Sequence, residues 1–209
     1  RVTLNSKTKR YEIGNVVAVN ESLVGVSNDA YTNAVAKKNL ELAVRAGTEL
    51  HRDVNPKWRE IAAKMYVPAS DSALLWFPLE MTFSNAQTRA AIKNMLAHRR
   101  LGAMMGTEFY PILAAQLGDR QLIGKLLTPF YAPYLRAPFN VIAETPDNKN
   151  INFITGAGAF LQQFIFGYSG MRLDEKGLER KYQPILPPGI THMTLRNFTV
   201  RGQLKTFTY

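Results

Sequence analysis

The sequence predicts a mainly α-helical molecule that turns to β-structure near its C-terminal end. Apolar residues recur at helical spacing through most of residues 1–170, and several of these runs open on a helix-capping residue. After Gly170 the pattern becomes short alternating stretches separated by Gly and Pro turns. The boundaries that follow are a helical domain over residues 1–170 and the start of a small C-terminal β-domain over 171–209. The final stretch, Lys205-Thr206-Phe207-Thr208-Tyr209, reads as mid-strand, and a sheet ending there would expose an unpaired edge. Together with a first residue that is Arg and not Met, this predicts a processed or excised piece of a longer protein.

Taken in order, residues 1–28 read as extended or looped, with Val16-Val17 and Val24-Gly25-Val26 broken by Gly and Asn. Ala30, Ala34, Leu40, Ala43, Ala46 and Leu50 predict a helix from Asp29 to Leu50, with Asn28 or Asp29 as cap. Asn55-Pro56 opens a second helix, the proline sitting where its missing N–H costs nothing; Trp58, Ile61, Ala62 and Met65 predict its core face. Ser84-Asn85-Ala86-Gln87 is a capping box ahead of Ile92 and Leu96. Further helices are expected at about 104–117, 119–131 and 156–167, and strands at Met171–Leu173, Thr191–Thr199 and Gln203–Tyr209. Lys176-Gly177, Leu186-Pro187-Pro188-Gly189 and Arg201-Gly202 supply the turns.

Hydrophobic residues at 46% and charged residues at 20% exclude wholesale disorder. No apolar run reaches the length of a membrane span. With no cysteine there is no disulfide framework, cysteine metal site or thiol nucleophile. The net charge of +10 favours anionic partners in general. Its lysines and arginines are scattered, however. The denser spots, Lys7-Thr8-Lys9-Arg10, Lys37-Lys38, His98-Arg99-Arg100 and Arg180-Lys181, come without aromatic interleaving or zinc-finger spacing, so a solvated basic surface is expected and no nucleic-acid partner. His51, His98 and His192 fall in three separate elements, and neither a metal site nor a cofactor is expected.

No phosphate-binding loop, dinucleotide fingerprint, zinc-protease helix or serine elbow is present, which leaves carboxylate chemistry. Glu21 stands in a loop just before the first helix, and Glu144 stands before a proline turn. Loops on a helical scaffold often carry catalytic carboxylates, although a loop glutamate is more commonly just solvated. Tyr31, Phe109, Tyr110, Phe130, Tyr131 and Tyr134 suit either core packing or a sugar-stacking role, core packing being the commoner. Periodicity and composition go no further than a helical domain.

The motifs go further. Val17-Ala18-Val19-Asn20-Glu21, then Gly25-Val26-Ser27-Asn28-Asp29-Ala30-Tyr31-Thr32-Asn33, resembles the catalytic segment of glycoside hydrolase family 65. So does Pro138-Phe139 with Glu144, followed by Asn152-Phe153-Ile154-Thr155-Gly156-Ala157-Gly158-Ala159-Phe160-Leu161-Gln162 and Phe166-Gly167-Tyr168-Ser169-Gly170. Gly102-Ala103-Met104 and Leu186-Pro187-Pro188-Gly189-Ile190 fit in the same order. The pattern is similar to the hydrolase branch: acid trehalases, kojibiose hydrolases and glucosylgalactosylhydroxylysine glucosidases.

The resemblance implies the second half of an (α/α)6 toroid followed by the C-terminal β-domain. It implies inverting hydrolysis of an α-linked glucose disaccharide of trehalose or kojibiose type, with two carboxyl groups about 6.5–9.5 Å apart and water between base and sugar. Glu21 matches the general acid, which needs a carboxyl kept protonated by burial or a neighbouring negative charge. Glu144 matches the general base. Asn20, Tyr31, Asn152, Thr155 and Gln162 match sugar-binding positions, and Thr155-Gly156-Ala157-Gly158 lies where the family's phosphorylases hold phosphate. Two alternatives stand beside the hydrolase: a family 65 disaccharide phosphorylase, and a non-catalytic carbohydrate-binding or structural relative.

The last is favoured by Ala18, Val19, Asn20 and Ser22, where the family carries Gly-Pro-Asp or Asp-Pro-Asp before the acid and an aromatic after it. Asn20-Glu21-Ser22 is also an N-glycosylation sequon, and a glycan there would obstruct a sugar pocket, so Asn20 is expected bare. Half a toroid leaves inward helix faces uncovered. A second polypeptide supplying the first half is therefore expected, with Ala73-Leu74-Leu75-Trp76-Phe77-Pro78-Leu79 among the segments it would cover. A secreted, vacuolar or periplasmic location is implied by the resemblance alone.

Overall fold

The computed structural model describes residues 2–98, 101–104, 106–147 and 150–209. Arg1 and the arginines at 99 and 100 of the basic cluster lie outside them. The described residues form seven α-helices and four separate two-stranded antiparallel hairpins, so the chain is mainly helical with small sheets. They divide into two compact units, residues 1–81 and 82–209.

The first unit begins with the hairpin β1 (Val2–Leu4) and β2 (Tyr11–Ile13), paired from Val2 with Ile13 to Leu4 with Tyr11. A long loop leads to α1 (Ala30–Glu49), capped by Asp29, whose carboxylate accepts from the Thr32 backbone N–H at 2.8 Å. The next helix, α2 (Pro56–Lys64), is capped by Asn55 with Pro56 in its first turn, as the sequence predicts. It packs against α1, with Lys37 Nζ reaching the Ala62 carbonyl at 3.0 Å. Tyr11, Ile13 and Met65 form a small core, with Val2, Val16, Ala36, Ile61 and Val67 around it.

Two expectations fail here. Trp58 is not core: it is 38% exposed, because α2 is short and buries only Ala62 deeply. Conversely, the Ala73–Phe77 segment is covered within this chain. It forms the short helix α3 (Ala73–Trp76), which packs on α1 with Ala73, Leu75, Trp76 and Phe77 all buried.

The second unit is built around α5 (Tyr110–Gln116), whose residues from Tyr110 to Ala115 are all buried. It packs against α4 (Asn85–His98), α6 (Arg120–Tyr131) and the segment Gln163–Tyr168. The capping box at α4 is reciprocal: Ser84 N–H donates to Gln87 Oε1 at 2.9 Å, and Gln87 N–H to Ser84 Oγ at 3.2 Å. Asp119 caps α6 through the Leu122 N–H and pairs with Arg89, whose hydrogen bond, ahead of that backbone one, holds its carboxyl below the usual aspartate range.

The sequence treats 156–167 as one helix. The structure starts it earlier, as α7 (Ile154–Gln162), and continues it as a π-helix over Gln163–Tyr168. The wider turn aligns residues five apart, so Tyr168 Oη donates to Gln163 Oε1 at 2.7 Å with both side chains buried. Burial pushes the Tyr168 phenol well above its ordinary range. Tyr131, Phe160, Phe164 and Tyr168 form a run of edge-to-face and tilted contacts with centroids 5.2–5.3 Å apart.

After Gly170 come β5 (Met171–Asp174) with β6 (Gly177–Arg180), and β7 (Thr194–Val200) with β8 (Gln203–Thr208). The sequence misses β6, which carries two charges and a glycine and no β-branched residue. Arg201 and Gly202 both take positive φ, the two-residue turn that matches hairpin twist. Leu186–Ile190 is tied to α6 by the Arg120 guanidinium, which donates to the Leu186, Pro187 and Ile190 carbonyls at 2.9–3.3 Å.

Candidate functional site

Glu21 lies in the first unit, at the tip of the loop joining β2 to α1. The loop is a narrow ladder. Val16 and Val26 exchange two backbone hydrogen bonds, Ala18 N–H donates to the Leu23 carbonyl at 2.9 Å, and Leu23 N–H to the Asn20 carbonyl at 2.8 Å. Asn20 shapes the tip, its Oδ1 accepting from the Ser22 N–H at 3.2 Å. Asn20, Glu21 and Ser22 are all exposed, so these residues do not supply the burial that an acid at Glu21 calls for, and Tyr31, in the first turn of α1, is half-buried.

Glu144 lies in the second unit, just after the hairpin β3 (Leu135–Arg136) and β4 (Val141–Ile142). Its backbone is held at both ends: its N–H donates to the Asn150 carbonyl at 3.1 Å, and its carbonyl accepts from Met104 N–H at 2.8 Å. Its Oε2 accepts from Asn150 Nδ2 at 3.2 Å. Immediately beyond, the Arg136 guanidinium donates to the Thr145 and Pro146 carbonyls and, on its other side, to those of Pro133 and Leu135. A rigid five-donor fork is the side chain suited to gathering several carbonyls at one turn. Neither Asn150 nor Arg136 was singled out in the sequence, because nothing in a lone Asn or Arg announces which carbonyls it will meet.

A groove of about 390 Å³ opens beside this hairpin, lined by Phe139, Asn140, Ile142, Asn152, Ile154 and Ala157 among others. Phe139 and Ile154 are 85% and 82% exposed, and Asn140 and Asn152 present polar side chains at positive φ. Thr155 is exposed in the first turn of α7, and Gln162 is the last residue of that helix. The Thr155-Gly156-Ala157-Gly158 stretch is therefore helix and not loop. Gly156 is there for packing: a Cβ would lie 2.5 Å from the Met104 carbonyl oxygen, whereas one on Gly158 would meet nothing.

Of the seven candidate residues, Asn20, Glu21 and Tyr31 thus belong to the first unit and Glu144, Asn152, Thr155 and Gln162 to the second. Tyr110, Phe130 and Tyr134 are buried core residues, and Tyr131 packs on Phe160. Among the described residues no group of three or more His, Asp or Glu could hold a metal ion.

The sequence model of the glycosyl hydrolase family 65 central catalytic domain matches residues 1–116, more than half of the chain. The chain belongs to glycosyl hydrolase family 65. The family 65 match contains the whole Glu21 loop and α1; Glu144 lies beyond it. Relatives are glycoside hydrolases. A protein-glucosylgalactosylhydroxylysine glucosidase of Danio rerio is 29% identical over all of this chain and 35% of its own length. A kojibiose hydrolase of Mucilaginibacter mallensis is 29% identical over 81% of this chain and 28% of its own. A periplasmic/secreted acid trehalase of Candida glabrata is 28% identical over 97% of this chain and 20% of its own. The chain thus spans about a third or less of these curated relatives. A solved structure provisionally named as a kojibiose phosphorylase from human microbiome shares the fold, with a TM-score of 0.67 at 13% identity over all of this chain and 39% of its own.

Proposed function

We propose that this chain forms part of an inverting α-glucoside hydrolase, in which Glu21 protonates the leaving oxygen and Glu144 activates water. The observation that carries the reading is Glu144 itself. It is a half-buried residue, two residues beyond the strand Val141–Ile142 that lines the groove, whose backbone is held at both ends and whose carboxylate accepts from Asn150. A phosphorylase, in which phosphate attacks directly, has no use for a base there. The hydrolase relatives support the same choice. The substrate is a small α-linked glucose disaccharide of trehalose or kojibiose type, and Asn20, Tyr31, Asn152, Thr155 and Gln162 contact it.

The described helices make up the second half of an (α/α)6 toroid in this reading, and a second polypeptide supplies the first. Apolar side chains left exposed, including Val24 at 72%, Leu50 at 69%, Phe139 and Ile154, support a further covering surface. Periplasmic or secreted yeast relatives support a location outside the cytosol. No helix among the described residues is long and apolar enough to cross a membrane.

The test is glucose release from a panel of α-linked disaccharides by the natural protein, with and without phosphate, following the first anomer formed. Expected is phosphate-independent release of β-glucose, reduced about 10²–10⁴-fold in both Glu21→Gln and Glu144→Gln. The fold likeness to a kojibiose phosphorylase favours a second reading. Under it, turnover needs phosphate and Glu144→Gln stays active. Sugar binding without any turnover would instead identify a non-catalytic relative.

A further inference from the structure

We propose that Asn28 and Asn33 are positioning residues that aim Glu21, an inference that rests on Glu21 being the general acid. The loop from 14 to 27 has little packing of its own. Among its residues only Ala18 is buried, and Val16 and Val26 are half-buried. Packing within these residues therefore does little to set the direction in which its tip points; the ladder of backbone hydrogen bonds and the clamp beneath it hold it.

That clamp is closed by two asparagines. Asn28 sits at φ 58, where asparagine is one of the few residues with a side chain to be comfortable. Its N–H donates to the Ile13 carbonyl at 2.7 Å, and its Oδ1 accepts from the Ile13 N–H at 3.2 Å and from Asn33 Nδ2 at 3.0 Å. Asn33, fully buried on α1, gives its other Nδ2 hydrogen to the Tyr66 carbonyl at 2.7 Å. Tyr66 N–H in turn donates to the Tyr11 carbonyl at 2.8 Å on β2. Both neighbours of the Asn33 amide nitrogen are acceptors, which fixes its orientation. Its Oδ1 is buried without a hydrogen-bond partner. An orphaned buried acceptor is costly, so the residue serves as a donor and not as filler. Strand, loop and first helix are thus locked through one pair of amides, and the three rungs above carry that orientation to residue 21.

Leaving-group chemistry tests this in the natural protein. An α-linked disaccharide needs its departing oxygen protonated, whereas fluoride leaves α-glucosyl fluoride without an acid. Asn28→Gly keeps the positive φ and removes only the side-chain acceptor. Asn33→Leu keeps the core filled and removes the donor together with the orphaned Oδ1. Expected is a fall in kcat on the disaccharide of about tenfold or more in either variant, against a change within about twofold on the fluoride. Asn28→Asp, which retains the acceptor, stays near the parent. Equal losses on both substrates, or no loss on the disaccharide, would overturn the clamp. Glu21→Gln is the reference. If that variant loses both substrates alike, the acid assignment itself fails and the clamp with it, a result told apart because it appears with Asn28 and Asn33 intact.

Discussion

Glycines in this chain divide by what a side chain would meet. At Gly170, φ is +72° and a Cβ would stand 2.1 Å from the Tyr182 carbonyl oxygen, while that glycine's own carbonyl accepts from the Lys181 and Tyr182 N–H groups. Strain and collision act together there. Gly170→Ala is expected to lower unfolding free energy by more than about 2 kcal/mol, measured by urea titration. Gly158 is the opposite case, helical with open space where its Cβ would be. Gly158→Ala is expected to raise stability by roughly 0.5–1 kcal/mol, the ordinary cost of glycine inside a helix. Both glycines belong to the stretches that carry the family resemblance. The sequence shows them alike, and only the close approach of another backbone separates them.

Helix caps and buried pairs decide stability at the scale of the element. Asp119 caps α6 and pairs with Arg89 at 2.8 Å, and because that arginine is half exposed, solvent screens the ion pair. Asp119→Ala is expected to cost about 1 kcal/mol at neutral pH. Because the folded carboxyl is held below its ordinary range, that contribution is complete above the unfolded value, near pH 4, and is lost as pH falls through the folded one. Denaturant melts of parent and variant should therefore converge under acid. In the π-helix, Tyr168→Phe would leave Gln163 Oε1 buried and unanswered, with an expected loss of about 1–3 kcal/mol by the same titration. Of these devices the capping box at Ser84, the Asn55-Pro56 start and the Arg201-Gly202 turn were legible in the sequence, since each depends on neighbours a few residues apart. The π-turn, β6 and the Arg136 carbonyl cluster were not, because each depends on partners that the fold brings in.

For the molecule as a whole, the net charge of +10 and the exposed apolar side chains of both units point in different directions. Charge favours solubility, while Phe139, Ile154, Leu161 and Val24 ask for cover. If a second polypeptide completes the catalytic domain, the 209 residues alone should bind a hydrophobic dye strongly, and the natural assembly should bind it weakly while showing a larger native mass. Equal dye binding by both would argue against a missing partner surface.

The sequence by itself determined the family, the mainly helical character with short strands after Gly170, most helix starts, and which two loops carry Glu21 and Glu144. Those properties are written in local periodicity, in caps and in short motifs that need no knowledge of distant residues. Tertiary structure alone decided that Trp58 is exposed while Ala73–Phe77 is covered. It alone decided that Gly156 is a packing residue inside a helix, and that Asn28 and Asn33 close the base of the Glu21 loop. The physical reason is common to all of them. Burial and hydrogen-bond partnership belong to pairs of residues, and in these cases the second member stands far along the chain or on another element.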